Sequence, residues 1–260
     1  MGFCNCKKAG LNMYRFFVEQ NQIDEEQKKI HITGNDVNHI KNVLRMKAGE
    51  EILISCGAEW EYVCAVETLE TEAVIASILY VQEAGNELPS KIYLFQGLPK
   101  SDKMELIIQK AVELGVYQVI PVETKRCVVK LDEKKKAAKA KRWQGISESA
   151  AKQSKRMIIP QIHEVMNYKQ AIAYAEQLDV RLIPYECAED MEHTRVLLQS
   201  IQPGQSIGIF IGPEGGFAEE EVTFALEHKV EPITLGKRIL RTETAGMTVL
   251  SILMFLLENR

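Results

Sequence analysis

From Met13 to Val81, apolar residues come in short runs set apart by polar turns. Tyr14–Val18, Glu51–Ser55, Trp60–Val66 and Ala73–Ile78 are rich in β-branched and aromatic residues. Ala48-Gly49-Glu50 and Cys56-Gly57-Ala58 lie between them, as turns lie between strands. One helix interrupts the series: Gly34-Asn35-Asp36 offers N-caps, and Val37, Ile40, Val43 and Leu44 recur at helical spacing. Short strands with one helix predict a small barrel-like domain over 13–84. The polar stretch EAGNELPS, Glu83 to Ser90, marks a boundary. Beyond it the pattern changes to strand and helix in alternation. Strands are predicted at Ile92–Phe95, Gln118–Val122, Arg181–Pro184, Ser206–Ile211 and Pro232–Leu235. Helices are predicted at Asp102–Leu114, Leu131–Lys155, Tyr168–Leu178, Ala218–His228 and Thr244–Glu258. Such alternation predicts an α/β domain over 91–260, a mostly parallel sheet covered on both faces.

Composition changes this picture little. Of 260 residues, 46% are hydrophobic and 26% charged, and the formal charge is -4, ordinary for a globular chain. The six cysteines and five histidines show no paired metal-ligand spacing, so no metal is expected. Scattered thiols fit a reducing cytoplasm, and no apolar run is long enough to span a membrane. Residues 1–12 lack the apolar core of a signal peptide and read as an extension before Met13. Charge is nevertheless segregated. Lys125 to Arg156 holds twelve Lys and Arg against three acids, either a nucleic-acid footprint or a solvated helical face.

In open parallel sheets ligands bind beyond the carboxyl ends of the strands. Three loops leave such ends: Tyr185–Asp190, Gly212–Gly216 and Gly236–Thr244. The second lies in FIGPEGGFAEEEV, where Glu214 sits among glycines and Glu219–Glu221 follow. A plain strand-to-helix turn and a ligand-facing turn both fit it. A phosphate cradle does not, because no Lys-Ser/Thr follows the glycines and acids surround them. Glu219–Glu221 suit the first turn of a helix. In the third loop Thr242 or Thr244 reads as an N-cap and Glu243 as a dipole partner. That leaves Arg238 and Arg241 beside a glycine loop, where guanidinium groups suit phosphate or carboxylate recognition.

Together these stretches resemble the RsmE-type 16S rRNA uridine N3-methyltransferases of the SPOUT superfamily. The resemblance runs from Met13 to Arg260. It is carried by Tyr14–Val18, His39–Arg45, Lys100-Ser-Asp-Lys103, Lys110–Val116, Arg126, Ala151–Ser154 with Arg156, Gly212–Phe217 and Leu235–Ala245. Gly246 stands where members more often have alanine. The resemblance implies a small PUA-like β-barrel domain that docks RNA, then a SPOUT methyltransferase domain with a trefoil knot. It implies S-adenosyl-L-methionine as cofactor, 16S rRNA of the small ribosomal subunit as partner, and a homodimer. The cofactor would be held by Pro184, Tyr185, Glu186, Ile211, Gly212, Pro213, Glu214, Gly215, Gly216, Leu235, Gly236, Arg238, Ile239, Leu240, Thr244 and Ala245. RNA would be bound by Arg15, Arg45, Lys100, Lys103, Gln153, Ser154 and Arg156. For catalysis, Arg241 or Arg126 would stabilise the uracil anion or its flanking phosphate. Glu243 would accept the N3 proton, its dipole role remaining an equal alternative. Two rivals stay open: a non-catalytic RNA-binding or ribosome-assembly protein on this fold, and a SPOUT methyltransferase with another RNA target.

Overall fold

The computed structural model describes residues 13–57, 60–83, 85–185, 188 and 190–258. The extension 1–12 and Glu186 therefore lie outside the described residues. The chain divides into two compact units between Asn86 and Glu87, inside the polar EAGNELPS stretch.

The first unit is one six-stranded sheet. Its strands are β1 (Tyr14–Phe17), β2 (Ile23–Asp24), β3 (Lys29–Thr33), β4 (Glu51–Ser55), β5 (Trp60–Leu69) and β6 (Ala73–Glu83). They lie in the order β1-β4-β5-β6-β3-β2, with β1 and β4 parallel. Register breaks at Val63/Cys64 and Val66/Thr68 in the long β5–β6 ribbon, the irregularities that let a sheet coil. Both edges reach the same core, because Ile23 of β2 packs on the cluster that holds Phe16 of β1. The predicted helix is only partly α-helical. Helix α1 spans Asn35–Asn38 and a wider π turn carries His39–Val43, with the Leu44 amide bonded to the His39 carbonyl. The extra residue per turn rotates the face. Val43 ends 62% exposed while Met46 is buried, the reverse of what a 3.6-residue period predicts for Val43.

The second unit is an all-parallel sheet. It is built from β7 (Lys91–Gly97), β8 (Gln118–Glu123), β9 (Gln161–Ile162), β10 (Met166–Asn167), β11 (Val180–Pro184), β12 (Ser206–Ile211) and β13 (Glu231–Ile233). The order is β10-β8-β7-β12-β11-β13, with β9 also on β8, and every pair is parallel. Its helices are α2 (Lys103–Glu113), α3 (Glu133–Gln153), α4 (Tyr168–Ala175), α5 (Met191–Ser200), α6 (Glu219–Glu227) and α7 (Thr242–Glu258). Successive strand residues face opposite sides. Phe95 and Phe210, register partners in β7 and β12, stack at 4.4 Å within the core shared with α4 and α6. Their neighbours Leu94, Gln96 and Ile211 face the other way, towards Gly246 of α7. Helix α5 and strands β2, β3, β9 and β10 were not predicted from the pattern.

Candidate active site

The sheet order reverses direction between β7 and β12, so the loops beyond Gly97 and Ile211 border the natural ligand crevice of a parallel sheet. The chain spends its glycines on close approach there. A Cβ on Gly97 would lie 2.7 Å from both the ring Cδ and the main-chain nitrogen of Pro213, and one on Gly212 would lie 3.0 Å from the Gly216 main chain. Gly216 takes φ +66 and its amide bonds the Pro213 carbonyl at 2.9 Å. The Gly212–Gly216 turn is therefore folded on itself and seated on the bare end of β7.

Neighbouring loops clamp it from three sides. Arg126 Nη1 donates to the Gly215 carbonyl at 2.9 Å. Glu214 accepts from the Lys100 amide at 3.1 Å and pairs with Lys103 Nζ at 3.2 Å. Burial works to raise its carboxyl, but hydrogen bonds from its own backbone, the Lys100 amide and Lys103 outweigh burial and hold it below the usual carboxylate range. Lys103 also reaches Glu243 Oε2 at 3.4 Å, so one ammonium joins the turn to the start of α7. Finally, Thr242 donates its hydroxyl to the Gly212 carbonyl at 2.6 Å. That corrects the N-cap reading of Thr242: it lies inside the first turn of α7, and Arg241 precedes the helix, its carbonyl accepting from the Ala245 amide. Thr244 also lies within the helix.

Behind the turn, the three acids of α6 divide. Glu219 and Glu220 are exposed, as the first turn of a solvated helix should be. Glu221 is buried and its carboxylate accepts from the amides of Ala218 at 2.9 Å and Lys125 at 2.8 Å. The Lys125 ammonium pairs with Glu220. The loop that carries Arg126 is thus tied to the far end of the glycine turn.

The remaining predicted residues fall into three groups. Pro184 ends β11 beside β13, and the amide of Tyr185, just beyond it, donates to the Ile233 carbonyl at 3.0 Å. Gly236, at φ +98, comes within reach of Met191. Leu235 and Leu240 are half-buried, Ala245 likewise, while Arg238, Arg241 and Thr244 are exposed and Ile239 is 89% exposed. Lys100 is exposed beside the turn. Arg45 is exposed in the first unit.

Arg15 and Arg156, in contrast, are interior residues and not surface contacts. Arg15 pairs with Glu61 at 2.6 Å, both side chains nearly inaccessible. Arg156 binds Glu87 through Nε at 2.9 Å and the carbonyls of Val112 and Val116 through Nη1, each at 2.9 Å. Val116 precedes β8, so Arg156 sits at the amino-terminal end of the sheet, opposite the glycine turn. Gln153 is exposed and Ser154 half-buried nearby, Ser154 Oγ donating to the Ala150 carbonyl at 2.7 Å. Sequence reasoning missed Gln96, Gly97 and the inward carboxylate of Glu221. One polar residue in the apolar run before Gly97 was the available signal. At Gly246 a Cβ would meet only ordinary contacts, 3.7 Å from Gln96 and Ile211, so this departure is sterically neutral. Among the described residues no cluster of His, Cys, Asp and Glu could hold a metal, and no helix is long and apolar enough to cross a membrane.

Comparison with known proteins meets this geometry. A family model described as an RNA methyltransferase domain matches residues 86–254, and one described as an RNA methyltransferase PUA domain matches 32–79. The ribosomal RNA small subunit methyltransferase E of Bacillus subtilis is 37% identical over 250 residues, 95% of this chain and 98% of its own length. The chain belongs to this methyltransferase family. Its fold agrees: the Neisseria gonorrhoeae methyltransferase E, solved bound to S-adenosyl methionine, superposes with TM-score 0.81 at 33% identity over 94% of this chain and 98% of that one. A Legionella pneumophila putative methyltransferase, in complex with the same cofactor, gives TM-score 0.81 at 32% identity over the same shares. Within the family's two domains, the glycine turn and its clamps all lie in the methyltransferase domain.

Proposed function

We propose that this chain methylates N3 of a decoding-region uridine in 16S rRNA, with S-adenosyl-L-methionine as methyl donor, acting as a homodimer on the small ribosomal subunit in the cytoplasm. The observation that carries this reading is the convergence of the locked glycine turn, Arg126, Arg241 and Glu243 at the carboxyl ends of β7 and β12. The residues present fit the cofactor. The turn offers bare main chain at Gly212, Gly215 and Gly216, and the carboxylates of Glu214 within it and of Glu243 beside it suit a sulfonium cation better than a polyphosphate. Pro184, Tyr185, Glu186, the 212–216 turn and the 235–240 loop would hold it. When bound, it supplies a methyl group already activated on sulfur.

This chain's own task is to align uracil N3 and make it nucleophilic. Arg241 and Arg126, both exposed at the mouth, stabilise the uracil anion or the flanking phosphate. Glu243 takes the N3 proton, directly or through water, while its ion pair with Lys103 fixes where the carboxylate points. Exposed Ile239 and Phe255, on the loop before α7 and on α7 itself, support burial by a second copy.

The test is incubation of purified protein with labelled S-adenosylmethionine and unmodified small subunits, followed by nucleoside analysis. We expect label in 3-methyluridine. Its absence sinks the substrate assignment, and label in another nucleoside redirects it. Arg241→Ala should cut turnover by about 100-fold or more while leaving cofactor affinity largely intact. Near-wild-type turnover in that variant would remove Arg241 from catalysis.

A further inference from the structure

Gln96 is the polar exception in the buried strand β7. It has no exposure, pairs in register with Ile211, and lies on the face towards α7 with Leu94. A buried amide in such a layer is costly unless its atoms are bonded. Gln96 Nε2 donates to the Gly97 carbonyl at 3.0 Å and to Thr242 Oγ1 at 2.9 Å. Thr242 then donates to the Gly212 carbonyl at 2.6 Å. The direction of this chain is forced, because carbonyl oxygens can only accept. The amide must turn its nitrogen towards Gly97 and Thr242, and the hydroxyl hydrogen must go to Gly212. Gln96 Oε1 is left buried without a hydrogen-bond partner.

A methionine or leucine would fill the same space with no unpaired acceptor, so stability alone does not account for the amide. What the amide achieves is positional. It presents Thr242 so that the hydroxyl pins the first carbonyl of the glycine turn, while the bare Gly97 next door seats Pro213.

We infer that Gln96 is a positioning residue for the cofactor turn, acting through Thr242 to fix the Gly212 carbonyl. The inference rests on the reading that the 212–216 turn holds S-adenosylmethionine.

Titration calorimetry of S-adenosylmethionine into Gln96→Met, Thr242→Val, the double variant and Thr242→Ser tests it, with thermal melts and kinetics alongside. Gln96→Met and Thr242→Val should each weaken cofactor binding by about tenfold, the worth of one buried hydrogen bond. The double variant should be no more than about threefold worse than either single one, because both cut the same chain of bonds. Thr242→Ser, which keeps the hydroxyl, should bind within about twofold of the wild type. Turnover at saturating cofactor should hold, and Gln96→Met should melt no lower than the wild type. Unchanged affinity in both single variants overturns the inference, as do multiplying losses in the double variant. So does a Thr242→Ser defect equal to that of Thr242→Val, or affinity and melting temperature falling together in Gln96→Met. Failure of the wild type itself to bind the cofactor would instead remove the reading of the turn on which the inference stands.

Discussion

The two ends of the parallel sheet use the same residue types to opposite purposes. At the amino end, Arg156 is buried, its guanidinium divided between Glu87 and the carbonyls of Val112 and Val116. Gly115 beside it takes φ +90 and packs under Leu88. At the carboxyl end, Arg126, Arg238 and Arg241 are exposed, and Gly97 and Gly212 are pressed against main chain. An arginine whose donors are all satisfied inside the protein can recognise nothing. Arg126 is exposed and, among the described residues, bonds only the Gly215 carbonyl, through Nη1, and Arg238 and Arg241 are exposed on the loop before α7. Glycine divides too: Gly115 takes a positive φ against the flexible Leu88 side chain, whereas Gly97 needs no special φ and is pressed against main chain that cannot swing aside.

Gly97→Ala is the strongest way to break this contrast. Its Cβ would meet the Pro213 main chain at 2.7 Å, which cannot swing aside as a side chain can. Cofactor affinity should fall about 100-fold, far beyond the roughly 1 kcal/mol backbone effect of an ordinary glycine replacement. Gly115→Ala, strained by its φ and by Leu88, should lower the melting temperature and leave affinity in the surviving fold unchanged. Equal binding losses from the two would erase the distinction. Arg156→Ala comes next. Removing the buried guanidinium leaves half-buried Glu87 and the Val112 and Val116 carbonyls without it and should cost about 1–3 kcal/mol of stability, read by denaturant unfolding, with RNA affinity per folded molecule unaltered. A specific loss of RNA binding at unchanged stability would return Arg156 to the RNA-contact group.

The smallest effect concerns Glu214. Its folded-state value lies below the ordinary one, so its stabilisation is complete above the ordinary carboxylate range and is lost as pH falls through the folded value. The stability difference between wild type and Glu214→Gln should be under about 1 kcal/mol at pH 7 and shrink steadily as pH falls below the ordinary carboxylate range. A difference that grows towards acid would contradict the sign.

The second unit was legible from pattern because strands covered on both faces read as continuous apolar runs, as Ile92–Phe95 and Ser206–Ile211 do. Helix α5 was not legible. It buries only Thr194 and Leu198 and leaves Val196 57% exposed, so its apolar residues mark no clear face. Asp190 caps it by accepting from the His193 amide at 2.8 Å, a role that the polar Tyr185–Asp190 stretch does not announce. At the site, the glycine turn and the arginine loop stood out as local motifs. The role of Gln96 did not, because its meaning lies in Thr242, and no spacing rule joins residues so far apart. Arg15 and Arg156 misled for the complementary reason: a sequence displays a charge but not the partner that neutralises it. Glu214 shows the same limit, because its partners are Lys100 and Lys103, just before and at the start of α2.

The bond from Gln96 to Thr242 spans 146 residues, that from Lys103 to Glu243 spans 140, and that from Lys100 to Glu214 spans 114. Each joins early chain to late chain. During synthesis the strands β1 to β13 all emerge before α7, yet the glycine turn gains its Thr242 and Glu243 partners only when α7 arrives. Closure over such distances is slow. A nascent chain stalled before Thr242 would lack the partners that pin the glycine turn, so the turn is set only once residues 242 and 243 have been made.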